Sequence, residues 1–325
     1  MQSVYLPKSI CDEVDRLCRN FLWGESSNHK KYHAIGWNKI CRPKEAGGLG
    51  LRSMRNVNTT YMMKNCWNLI QDPHKLWVQV VRAKYKCKNG IIPQVMKTNK
   101  MSNLWKGICA SWELIKPHIC WRINNGRTAS FWYNNWLPNH MPIIHYSSSF
   151  IPPVELFKTI HEYTSGQGTW QIDHLQSWLP QNILETIYHF PLPTNGYGQD
   201  VVLWSPSKDG VFTTKSAVTI ASSSHTVSHP PPFKAIWRWN GPERIRVLLW
   251  RVVHGSLMTN QVRVDRGLGT DPTCSVCMQE TESNLHALRD CKFAAEIWSR
   301  TSGGSLPRSF AEDNIHDWVH ANLKE

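Results

Sequence analysis

The sequence predicts a mainly α-helical chain with two small β-hairpins and a C-terminal Cys-Cys-His-Cys knuckle. Three observations carry this expectation. Apolar residues recur at helical spacing in four segments before residue 120 and again beyond residue 230. Two other stretches alternate apolar and polar residues around an Asn-Gly and an Asp-Gly pair, which is hairpin turn chemistry. Three of the ten cysteines fall between Cys274 and Cys291, with one histidine between them.

The first helix signal runs from Ser9 to Gly24. Ile10, Val14, Leu17 and Phe21 share a face, Ser9 can cap the start and Gly24 can end the helix. Cys11 and Cys18 are expected as buried core thiols, with no third ligand close by in sequence. "EAGGLGLRSM" (Glu45 to Met54) matches neither nucleotide-binding glycine pattern and is expected to be a structural turn. Helices are expected at about 58–70, 74–85 and 103–116. The second of these ends in Arg82, Lys84, Lys86 and Lys88. These cations can complement a helix C-terminus or reach one phosphate backbone, with Tyr85 available to stack on a base.

Cys120 to Pro138 reads as the first hairpin, turning at Asn125-Gly126. Two short helices broken at Pro180 are expected in the loop-rich region that follows. The second hairpin turns at Asp209-Gly210 and leads into a helix near Thr214. Ser222 to Phe233 is a linker by composition, and "RIRVLLWRVVHG" and "NQVRVDRG" read as basic amphipathic helices. The expected regions are a helical connector (1–138), an acidic loop-rich spacer (139–199), a knuckle-bearing domain (200–302) and a tail (303–325), with the main boundary near Asn195.

The chain has 325 residues, enough for two domains, and 41% hydrophobic content, which argues against a disordered chain. No apolar run is long enough for a membrane span and no secretory signal is visible, so no membrane partner is expected and the cysteines fit a reducing compartment. The formal net charge of +13 is unevenly placed. Tyr61 to Trp132 carries twelve Lys/Arg against two Asp/Glu, and Val201 to Thr270 carries nine against three. The stretch between them, Tyr133 to Asp200, carries one against five. Two basic blocks around an acidic spacer suit a polyanion.

Cys274-x2-Cys277-x8-His286-x4-Cys291 has the spacing of a metal site. The first pair can chelate from a tight turn and the second from a short helical segment. Three thiolates and a neutral imidazole complete a tetrahedral zinc shell with no open position, so one structural Zn2+ is expected. Glu280, Glu282 and Asp290 are expected to be solvent-exposed charges.

The knuckle and its flanks together resemble the zinc-binding region found downstream of the reverse transcriptase in plant LINE-type (non-LTR) retrotransposons. The resemblance rests on Trp237, Arg246, Trp250-Arg251, His254-Gly255, Thr259, Arg266, the four ligands, Glu282, Ala295 and Trp298. Upstream, "LWSPSKDGVFTTKSA", "FWYNNWL", "GWNKICRPKEAGGLGLRSM" and "LCRNFLWG" resemble further elements of the same family in matching order. The chain departs from that family by Ala287-Leu288 after the ligand histidine, Val262 and Arg244, and by Asn134 and Asn135 where the family has an Asp.

The resemblance implies a zinc-stabilised, nucleic-acid-binding part of a reverse transcriptase polyprotein that partners RNA and/or DNA and a separate polymerase domain. Residues 1–138 would then be the post-polymerase connector. A polymerase of this family needs an adjacent Asp-Asp pair for two Mg2+ ions, and the chain contains no such dipeptide. Neither polymerase nor nuclease activity is therefore expected, and no catalytic residue is assigned. The nucleic-acid candidates are Arg238, Arg244, Arg246, Arg251, His254, Arg263 and Arg266, with contacts mainly to phosphate. His254, four residues after Trp250, is a candidate both for base stacking and for packing. The competing readings are a scaffold that docks to a polymerase half and a non-functional retroelement remnant.

Overall fold

A computed structural model describes all residues except positions 1, 27, 89, 139–140, 166–167, 195, 197, 223–231, 304–308 and 324–325. Most of the expected linker 222–233 therefore lies outside the described residues. Helices dominate. In chain order the longer ones are α1 (Lys8–Trp23), α2 (Met54–Gln71), α3 (Leu76–Lys84), α4 (Asn103–Ile115), α5 (Gln181–Tyr188), α6 (Thr214–Ser222), α7 (Phe233–Arg238), α8 (Glu243–Val253), α9 (Asn260–Asp265), α10 (Lys292–Thr301) and α11 (Ile315–Asn322). Among the described residues two strands, β1 (Ile119–Arg122) and β2 (Val201–Trp204), form a sheet. Compactness divides the chain into Met1–Leu6 with Asn56–Ser223, and Pro7–Arg55 with Ser224–Glu325.

The core of the first unit is aromatic. Trp105, Trp132, Trp136, Trp170 and Trp204 are all buried in it, beside Phe131 and Tyr163. An indole buries a large apolar area but brings one N–H that needs an acceptor. Each of the five finds one. Trp105 donates to Met96 O at 3.0 Å, Trp132 to Tyr163 Oη at 2.9 Å and Trp136 to Phe131 O at 2.9 Å. Trp170 donates to Phe190 O at 3.0 Å and Trp204 to Ser216 Oγ at 2.9 Å. The helix ends follow local chemistry. Ser102 accepts from Trp105 N to cap α4, and Pro180 stands at the N-cap of α5, where its missing N–H costs nothing.

The two expected hairpins are replaced by a single antiparallel pairing between their first strands, in register Ile119 with Trp204 and Arg122 with Val201. Asp200 explains the change. Its buried carboxylate accepts from the backbone N–H of Asn124 (2.9 Å), Gly126 (2.9 Å), Thr128 (3.0 Å) and Ala129 (3.1 Å). Gly126 takes φ +66°, but the Asn125-Gly126 segment bends around that carboxylate and closes no hairpin. β2 begins one residue after Asp200 and is delivered alongside β1. The "FWYNNW" stretch is then a turn, in which Asn134 Oδ1 accepts from Ser130 N at 2.7 Å, a bond that an aspartate makes equally well. The Asp209-Gly210 turn also closes, through Trp204 N to Gly210 O at 2.8 Å, before α6 starts at Thr214.

In the second unit, α1 ends on Gly24 in the left-handed conformation, as expected. Its N-cap is Pro7 instead of Ser9, and its orientation differs from the periodic reading. Cys11 is buried, whereas Cys18 is exposed and Ile10 (49%), Leu17 (55%) and Phe21 (89%) face solvent. The glycine-rich turn is structural. A Cβ on Gly48 would lie 1.8 Å from Arg42 O, so only glycine fits there. Gly47 O accepts from Trp250 Nε1 at 2.8 Å and lies 2.6 Å from His254 Nε2. This joins α8 to a turn some two hundred residues earlier, over a buried cluster that includes Ile35, Ile40, Phe233, Ile236 and Trp318.

Asp200→Ala removes one acceptor from four N–H groups at once. It should cost about 3–5 kcal/mol, given that a bond to a charged group contributes about 1.5–3 kcal/mol and that such bonds are not additive. Denaturant unfolding followed by tryptophan fluorescence measures this. Burial, with Lys39, Arg42 and His316 nearby, pushes the His254 imidazole below its ordinary range. The unfolded state therefore binds the proton more readily. The stability contributed by neutral His254 is complete above the unfolded value of about 6.5 and falls as pH drops below it. Thermal unfolding from pH 7.5 down to pH 5 should show this loss, and the loss should be smaller in His254→Asn.

Candidate metal centre

The donor atoms of Cys274, Cys277, His286 and Cys291 lie within 4.8 Å of one another, and all four residues are buried. Cys277 Sγ and His286 Nε2 are 3.4 Å apart. Ligand bonds of about 2.3 Å to sulfur and 2.0–2.1 Å to nitrogen place tetrahedral neighbours roughly 3.5–3.8 Å apart, so this donor set fits a zinc ion.

Local backbone geometry produces the convergence. Cys274 and Cys277 sit in a turn closed by Met278 N to Cys274 O (2.9 Å) and Cys274 N to Glu280 O (2.8 Å), with Thr273 bridging Thr281. Met278 takes φ +55° to make the reversal. The backbone N–H groups of Glu280 and Gln279 then point at Cys277 Sγ and pull its thiol down to about 6, which favours the thiolate that binds metal. His286 and Cys291 are joined by a single π-turn, His286–Asp290, closed by Cys291 N to His286 O at 2.8 Å. In an α-helix, residues five apart point roughly 140° away from each other. The wider turn brings both donors to one side.

The surrounding bonds were only partly foreseen. Glu280 is exposed as expected, and its carboxylate is 3.9 Å from His286 Nδ1, beyond hydrogen-bond reach. Glu282 is not simply a solvated charge. Its carboxylate accepts from Asn260 N (3.2 Å), and Asn260 Nδ2 donates to Thr273 O (2.7 Å), tying the knuckle to α9. Asp290 pairs with Arg289. Arg289 carried no sequence signal beyond its position between two ligands. It is buried and also donates to Phe310 O (3.1 Å) and Asp313 O (2.6 Å), which anchors the segment leading to α11.

The seven nucleic-acid candidates fall into two groups. Arg238, Arg244 and Arg263 are exposed, as is Arg266 of the second group. The others have partners within the fold. Arg246 pairs with Glu243 at 2.7 Å, Arg251 donates to Ser256 O at 3.3 Å, and Arg266 lies over the Tyr32 ring at 4.5 Å. His254 is held by Gly47 O and stacks on Phe233 with ring centroids 4.8 Å apart. Tyr85, read as a possible base platform, stacks on Trp105 with centroids 4.1 Å apart.

The Cys3His set follows the basic helices in sequence and has the donors of a zinc site. Residues 212–298 match the family described as zinc-binding in reverse transcriptase. The chain is 28% identical over 335 residues to an Arabidopsis thaliana protein named "Putative ribonuclease H protein", a match that covers 99% of this chain and 53% of that relative. It is 26% identical over 144 residues to an uncharacterized mitochondrial protein of the same plant, covering 44% of this chain and 93% of that one. The chain thus spans about half the length of the first relative. Residues 212–298 are thus similar to the zinc-binding region of reverse transcriptases, in line with the resemblance read from the sequence.

Arg289→Ala would leave two carbonyls and the Asp290 carboxylate without their donor. We expect a loss of about 2–4 kcal/mol in the zinc-loaded chain, the cost of a buried charge network broken on one side. Hydrogen exchange should show α11 losing protection first.

Proposed function

We propose that this chain is a zinc-stabilised nucleic-acid-binding part of a retrotransposon reverse transcriptase polyprotein, acting with a separately folded polymerase domain. The observation that carries this reading is the outward presentation of Arg238, Arg244 and Arg263 on the segments leading into the Cys274–Cys291 centre. One structural zinc ion, held by Cys274, Cys277, His286 and Cys291, folds the knuckle. The exposed arginines contact phosphate, which gives affinity with little sequence choice.

On this reading the chain has no polymerase or nuclease activity of its own. The adjacent aspartates that a two-metal polymerase centre of this family requires do not occur in the sequence. A scaffold role is the second reading, and the exposed apolar row Ile10, Leu17 and Phe21 on α1 favours it, because such a row suits a protein partner.

The test is affinity of the zinc-loaded full chain for RNA and duplex DNA across a salt series. Arg238, Arg244 and Arg263 should each contribute roughly 0.7–0.9 to the slope of log K against log salt. A flat, weak response would reject the nucleic-acid reading in favour of the scaffold. Metal analysis should return one zinc per chain. Cys274→Ser should lose that zinc and bind RNA at least about tenfold more weakly, the scale of a lost 1.4 kcal/mol. Primer extension or RNA hydrolysis above background, abolished by a substitution in this chain, would refute the absence of catalysis.

A further inference from the structure

We infer a second phosphate-gripping site, in the first compact unit, built by Arg82, Lys86 and Lys88 at the C-terminal end of α3. It rests on the nucleic-acid reading above and extends it to a surface remote in sequence from the zinc ligands.

α3 ends in a Schellman motif. Lys86 N donates to Ala83 O at 3.3 Å and Cys87 N donates to Arg82 O at 3.0 Å. The residue that closes this motif takes a left-handed backbone and is usually glycine. Here it is Lys86, at φ +51°, and two residues later Lys88 takes φ +58°. In that region a Cβ crowds its own carbonyl, a penalty glycine avoids. The turn needs the conformation but has no use for a lysine side chain. Two lysines held there within three residues point to a use for the ammonium groups outside the fold.

The surroundings suit an anion. Arg82 donates through Nη2 to Gly90 O (2.6 Å) and Ile91 O (3.0 Å), which fixes its guanidinium, while its Nε is buried without a partner. Arg82, Lys86 and Lys88 line an open cleft of about 470 Å³, together with Pro73, Gln79 and Cys87, and no lining residue is acidic. Lys86 and Lys88 are exposed. Of the twelve cations between Tyr61 and Trp132, Lys75 alone has a carboxylate partner among the described residues. A shallow, wet, uniformly cationic cleft has little to offer an apolar ligand and much to offer a phosphodiester backbone. RNA and DNA share that chemistry, and the site would not discriminate bases.

The test exploits the backbone. Lys86→Gly/Lys88→Gly relieves both left-handed positions and removes both charges. The zinc-loaded full-length variant should unfold at the same or a higher temperature than the parent. Its binding should nevertheless weaken. With single-stranded RNA or DNA probes, the slope of log K against log salt should fall by about 1.4, at about 0.7 per lost phosphate contact. A clearly lower unfolding temperature would make the lysines structural and overturn the site. So would an unchanged slope in a parent that binds, which would leave the zinc-region reading standing. A parent that binds neither probe overturns both. If the variant loses binding to polyglutamate but not to RNA or DNA, the cleft belongs to an acidic protein partner, and the inference fails.

Discussion

Between Asp271 and Ser283 the only buried residues are the cysteines that would hold the ion. The buried cluster at this place is Cys274, Cys277 and Cys291, with Ala294 packed against it. At about 0.8 kcal/mol per buried methylene, three thiols and a methyl cannot offset the entropy of ordering a polar loop. Metal–ligand bonds can, because their free energy is released only when the four donors converge. The neighbouring structure serves that convergence. Two N–H groups favour the Cys277 thiolate, a π-turn aligns His286 with Cys291, and Glu282 with Asn260 moors the knuckle to α9. Arg289 passes the constraint on to the chain before α11, whose Trp318 reaches the unit's apolar core.

Many of the residues that carry the family resemblance act as ties of this kind. Trp250 and His254 hold Gly47 O, Thr259 caps α9, Trp298 donates to Leu288 O at 2.8 Å, and Glu282 accepts from Asn260. Their side chains have defined geometric tasks that few replacements can perform. Ala287 and Leu288, where this chain departs from the family, leave all four donors in place, and Leu288 still packs against the apolar cluster. Arg238, Arg244 and Arg263 are under no such packing constraint, and their exposure is what makes them available for phosphate.

Much of the helical layout was legible in the sequence because periodicity, glycine stops and proline starts are local signals. α2, α3, α4 and α5 begin and end within a few residues of their expected bounds. The knuckle was legible for a similar reason: four ligands within eighteen residues leave few alternatives. The strand pairing was not, because its determinant, Asp200, is more than seventy residues from the N–H groups it gathers. The same holds for the two donors on Gly47 O and for the carbonyls bound by Arg289. The buried side of α1 was misread for another reason. Its apolar row is genuine, but periodicity locates a stripe without saying whether the fold covers it, and here Cys11 points inward instead.

Charge separates the roles of the metal and its surroundings. A divalent ion with three thiolates and a neutral imidazole carries a net charge of about −1. In the sequence, Asp271 to Glu325 holds five Lys/Arg against nine Asp/Glu. Such a centre does not attract phosphate. On the proposed reading the ion therefore works as a clamp, and affinity arises beside it, on the arginine-bearing helices α7 to α9, and in the first unit at the end of α3. The two mechanisms respond differently to conditions. Salt screens arginine and lysine contacts over a Debye length of about 10 Å at 0.1 M, while metal–thiolate bonds are little affected by it. Chelation does the reverse, removing the clamp while leaving the cations in place. A salt series and a chelator titration on the same chain would therefore resolve the gripping surface from the fold that presents it.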